Sequence, residues 1–128
     1  MDAAPSLIFG YHTLLRSLAY LDIPIVVGMT GDTMGGGLEM SLNCDIRIAQ
    51  KGDYIIGFPE VALGILTGTG SQLLARIIGL GRATDFLLRS RIVTPDEALA
   101  LGIVTEVADD AKERAIEIAN GLSGRFRF

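Results

Sequence analysis

Gly35-Gly36-Gly37-Leu38-Glu39 is the stretch on which the reading of this chain turns. Three glycines follow an apolar, strand-like run at 23–29 and lead into a helix-like run carried by Leu38, Met40, Leu42 and Asn43 toward Cys44. Glycine lets the backbone approach a ligand closely. The first-turn N–H groups of a helix have no intrahelical acceptor, and the helix dipole favours negative charge there. Helical Cβ atoms lean toward the N-terminus, so the acid of Glu39 reaches back to the glycine end. One short segment thus offers an oxyanion-binding amide and a proton-transferring acid. By itself, a glycine triplet equally serves a tight turn or close helix packing.

Upstream, apolar residues recur at helical spacing as Leu7, Ile8, Tyr11, Leu14, Leu15, Leu18 and Leu21, with His12 and Arg16 on the other flank. Asp22 and Pro24 stop this helix. Residues 23–29 then read as a strand buried on both faces, and Gly31-Asp32-Thr33 as a turn. Downstream, 45–49 and 54–58 read as strands, the second ended by Pro59. Ser71 is expected to cap a helix over 72–78, broken by Gly79 and Gly81, with 82–91 helical again. Thr94-Pro95-Asp96-Glu97 is a strong helix start: Thr94 caps, Pro95 takes the first helical position and Glu97 closes a capping box. That helix ends at Gly102, a last strand follows over 103–107, and a final helix starts at Asp109.

At 128 residues the chain is one domain at most, 1–128. It is greasy, with 49% hydrophobic residues and a mean hydropathy of +0.43. Some of that apolar surface is expected to meet another subunit. A net charge of −4, with no Lys/Arg stripe, argues against nucleic-acid binding. The run Arg125-Phe126-Arg127-Phe128 reads as a frayed end. Apolar runs are too short to span a bilayer, and the N-terminal residues lack the basic region of a secretory signal. Cys44 is the only cysteine, which rules out an intrachain disulfide and points to a reducing, cytoplasmic compartment. With His12 far off in sequence, Cys44 reads as a buried structural thiol, and one Cys with one His makes no zinc site. No glycine segment carries the dinucleotide fingerprint or the nucleotide P-loop.

A second acid sits in Gly57-Phe58-Pro59-Glu60, where proline fixes the backbone and holds Phe58 extended, which can aim Glu60. An exposed loop glutamate would look the same. A glycine-rich loop, Leu63-Gly64-Ile65-Leu66-Thr67-Gly68-Thr69-Gly70, then leads into Ser71 and Gln72.

In series, these pieces resemble the crotonase superfamily of enoyl-CoA hydratases and isomerases. The likeness runs from Ile23-Pro24-Ile25-Val26-Val27 through Gly31, the Gly-Gly-Gly-x-Glu segment and Cys44-Asp45-Ile46. It continues through Gly57-Phe58-Pro59-Glu60-Val61, Leu63-Gly64, Thr94-Pro95-Asp96-Glu97-Ala98 and Leu101-Gly102-Ile103-Val104. Several motifs in the right order are far more specific than any one. The resemblance implies an α/β fold, a crotonase-like spiral of strand–strand–helix units truncated at both ends, in a chain about half the usual length. It implies trimers or pairs of trimers, an acyl-CoA thioester substrate of fatty acid metabolism, and no cofactor or metal beyond the coenzyme A of the substrate. It assigns Gly36 as the oxyanion amide and Glu39 and Glu60 as the catalytic pair, with Gly35, Gly37, Phe58, Pro59, Leu63 and Gly68 against the substrate. It implies a lyase that adds water across the 2,3-double bond, or an isomerase. The lost flanking regions normally supply a second oxyanion amide and much of the CoA contact. A non-catalytic assembly or acyl-CoA-binding remnant of the same fold is therefore the alternative.

Overall fold

The computed structural model describes residues 4–60 and 70–125. Six helices and six short strands alternate among the described residues: α1 (Ala4–Ala19), β1 (Val26–Met29), β2 (Thr33–Met34), α2 (Gly36–Leu42), β3 (Ile46–Gln50), β4 (Ile56–Gly57), α3 (Gly70–Ile78), α4 (Leu80–Leu88), β5 (Ile92–Val93), α5 (Pro95–Leu101), β6 (Glu106–Ala108) and α6 (Ala111–Leu122). The strands form two small sheets. One is parallel, in the order β1-β3-β6, with Val26 opposite Ile46 and Ile48 opposite Glu106. The other has the order β2-β4-β5, β2 and β4 parallel and β5 antiparallel to β4. Parallel neighbours need a crossover, and α2 supplies it for both β1-β3 and β2-β4.

The core lies between these sheets and the helices, built from Leu38, Leu42, Phe58, Leu74 and Phe86 with the buried Ile103 and Val104. Helix α6 crosses β1 so closely that a Cβ on Gly28 would stand 2.7 Å from the Ala111 carbonyl oxygen. In the middle strand Arg47 is buried rather than outward-facing; its guanidinium donates to the carbonyls of Ile103 at 2.8 Å and Cys44 at 2.6 Å. Burial lowers the pKa of that group, and the two carbonyls replace the water it has lost.

Several sequence expectations shift. Strand β1 is half-buried over Val26, Val27 and Gly28, because it lies at an edge of its sheet. Along α1, Leu15 is buried, Tyr11 and Leu18 half-buried and Leu14 exposed; the side chains of Leu7 and Ile8 lie outside the described residues, and Leu21 lies beyond the helix end. Thr33 starts a strand rather than ending a turn, since its N–H pairs with the Ile55 carbonyl at 2.9 Å. Gly81 does not break a helix; the break is at Gly79, with φ 93°, and Gly81 lies inside α4. The helix expected over 82–91 ends at Leu88, and residues 92–93 beyond it form β5. Ile103 and Val104 are buried but precede the last strand, and Asp110, not Asp109, caps α6. The start of α5 matches the sequence in full, with both halves of the capping box, Pro95 in the first turn and Gly102 left-handed at φ 87°.

Candidate active site

The glycine triplet sits where the second sheet hands the chain to α2. The N–H of Gly35 extends the β2-β4 pairing by donating to the Gly57 carbonyl at 3.0 Å. Gly35 then takes φ 53° and ψ −118°, a turn open to glycine, and α2 begins at Gly36 with no side-chain cap. The amides of its first turn have no acceptor inside the helix.

Leu38 and Glu39 are both buried one turn in, the first within the core and the second toward the glycine end. The Glu39 carboxylate accepts a bond at Oε2 from the N–H of Gly70, 2.7 Å away. Gly70 is the first described residue of α3, 31 positions downstream of this acid, and Ser71, expected as the cap, lies inside the helix. Negative charge is favourable at a helix N-terminus, which helps hold a buried carboxylate there.

Glu60 arrives from the other side, beyond β4. Its Oε1 lies 2.6 Å from where a Cβ on Gly35 would stand, so a side chain at that glycine would displace the acid. Its Oε2 is buried and accepts no hydrogen bond from the described residues. Burial pushes the Glu60 carboxyl above the usual carboxylate range, and the nearby Glu39 charge pushes the same way. Two acids remote in sequence therefore feel each other across Gly35 and Gly36.

A third polar group completes the cluster. Tyr11 of α1 donates from its hydroxyl to the Gly36 carbonyl at 2.8 Å. Burial, a hydrogen bond to Glu39 and the charges of Glu39 and Glu60 all raise the phenol well above its ordinary value. Tyr11 therefore keeps its proton and gives it to the Gly36 carbonyl. Sequence reading counted Tyr11 as one apolar residue of a helical stripe. The only sequence signal for more was a hydroxyl-bearing ring at a position that Phe or Leu would fill equally well.

Among the other residues expected at the site, Gly37 is exposed with open space around it, and Pro59 is half-buried. Phe58, expected against the substrate, is 0% exposed and packs in the core. Leu63 and Gly68 lie outside the described residues. Cys44 is half-buried on the far end of α2, and burial pushes its thiol up, as suits a structural residue.

With this geometry in hand, the likeness to known proteins is informative. The pattern of the enoyl-CoA hydratase/isomerase family matches residues 4–125. The chain is 49% identical over 115 residues to a peroxisomal bifunctional enzyme of Cavia porcellus, covering 88% of this chain and 16% of that protein. It is 38% identical over 114 residues to a short-chain-enoyl-CoA hydratase of Clostridium acetobutylicum, covering 87% of this chain and 43% of that one. An enoyl-CoA hydratase from Thermoplasma volcanium superimposes with a TM-score of 0.82 at 33% identity, over 95% of this chain and 50% of that one. The chain thus spans half or less of the length of each of these relatives. Matched sequence, matched architecture and the order of the motifs agree: the chain belongs to the enoyl-CoA hydratase/isomerase family.

Proposed function

We propose that Gly36, Glu39 and Glu60 form the hydration site of an enoyl-CoA hydratase, acting on a 2-enoyl thioester of coenzyme A and needing no further cofactor. One observation carries this reading: Glu60 Oε1 stands against Gly35, at the start of the short helix that holds the buried Glu39. In the proposed reaction the thioester oxygen lies against the N–H of Gly36. Negative charge gathers on that oxygen as water adds at the β-carbon, and a preorganised donor there is worth about 3 kcal/mol, or roughly 10²–10³ in rate. Glu39, with Oε2 held by Gly70, keeps its other oxygen to take a proton from water. Glu60, its proton bound more tightly than usual, delivers one to the α-carbon. The buried Oε2 of Glu60 is the natural second acceptor for that water. An isomerase would move a proton between carbons with one acid; retention of both favours hydration.

The same reading extends to assembly. β1 is an edge strand among the described residues, and Leu80 and Leu88 are 75% and 69% exposed. Such edges and apolar side chains fit a homo-oligomer, a trimer or hexamer in a cytoplasmic setting. Among the described residues no helix is long and apolar enough to cross a membrane. The second reading is an acyl-CoA-binding or assembly protein of the same fold without turnover.

The deciding experiment follows loss of the conjugated-thioester absorbance of a short trans-2-enoyl-CoA. Wild type should turn over, and Glu39→Gln and Glu60→Gln should each lower kcat by about 10²–10⁴. Binding measured by calorimetry without any turnover would establish the second reading instead.

A further inference from the structure

The helix that carries the oxyanion glycine starts with unusual freedom. Three glycines run in succession, the capping position has positive φ, and no side chain caps it. Backbone of this kind is the least restrained available. Two hydroxyls compensate: Ser41 donates to the Gly37 carbonyl at 2.9 Å, and Tyr11, from another helix 25 positions upstream, donates to the Gly36 carbonyl at 2.8 Å. Tyr11 Oη also stands 3.2 Å from the Cβ position of Gly36, so the ring tip lies directly over that residue. A phenylalanine would satisfy the spacing of α1 and spare the desolvation of a hydroxyl. The hydroxyl therefore answers a need at Gly36 rather than a need of the core.

We propose that Tyr11 is a positioning residue for hydration: by holding the Gly36 carbonyl it fixes the peptide whose neighbouring N–H receives the thioester oxygen. This inference rests on the function proposed above. Because the phenol stays protonated, it acts as a hydrogen-bond donor and not as the acid of the reaction.

The test compares the wild-type chain with Tyr11→Phe, which keeps the ring and removes only the oxygen. Four quantities are read: kcat and KM with a short trans-2-enoyl-CoA, the melting temperature, and the red shift of a 3-aryl-2-enoyl-CoA on binding. That shift reports polarisation of the thioester carbonyl. The variant should lose about tenfold in kcat, on the scale of one hydrogen bond, with KM within about twofold and melting within a few degrees. Its red shift should shrink. Wild-type kcat and an unchanged red shift in Tyr11→Phe would overturn the role of Tyr11 alone. So would a loss of stability with kcat intact, which would make the hydroxyl a packing device. A wild-type chain that neither turns over nor shifts the chromophore would overturn the hydration reading and the role of Tyr11 with it.

Discussion

Two helix starts in this molecule are built on opposite plans. At α5, Thr94 caps, Glu97 reaches back, and proline occupies the first turn, so the free amides find partners within four residues of sequence. At α2, the capping residue is a glycine with no side chain to offer, and the groups that surround it come from α1, β4 and the loop beyond β4. The first plan serves stability alone. The second leaves amide hydrogens open and spends long-range contacts on arranging acids around them, as a site must.

Substitution at each start should separate the two plans. Gly35→Ala carries the largest expected effect. Its new methyl meets Glu60 Oε1, the movable end of a side chain, so the acid shifts. Turnover should fall on the order of 10²-fold, as for other displacements of about 1 Å. Positive φ at a non-glycine residue should also cost about 1–3 kcal/mol in denaturant unfolding. Thr94→Ala is the converse. It should lose about 1 kcal/mol of stability and leave kcat and KM unchanged. Equal losses of activity from both variants would erase the contrast.

The smallest effect is electrostatic. Glu60 has a folded-state pKa raised above its unfolded value, so the native state binds that proton more tightly. Its contribution to stability is therefore largest at low pH and declines as pH rises from the unfolded carboxylate value through the folded one. In Glu60→Gln that part of the slope disappears, and the variant should gain on wild type in melting temperature as pH increases across this window. A variant that loses ground to wild type as pH rises would reverse the assignment.

The legibility of these regions in sequence follows the range of their interactions. The start of α5 could be read residue by residue because every partner lies within the motif. Helices α1 and α2 were legible from apolar spacing and from the glycines. Strand β5 was not, because two residues carry no periodicity and its pairing with β4 spans more than thirty positions. Ser71 reads as a cap from its residue type but lies inside α3, and the bond from Gly70 to Glu39 exists only through the tertiary fold. The acids at 39 and 60 could be picked out by residue type and family resemblance, whereas Tyr11 hid in an apolar stripe. Phe58 lies in the core, and chain position says nothing of which way a ring turns.

The central claim is that Glu39 and Glu60 work on one water beside Gly36. The most direct measurement is a double-mutant comparison of hydration by wild type, Glu39→Gln, Glu60→Gln and the double variant. Groups that act as a unit are strongly non-additive, so the double variant should lose little more than the worse single one. Losses that simply multiply would contradict the account and return the two glutamates to separate roles.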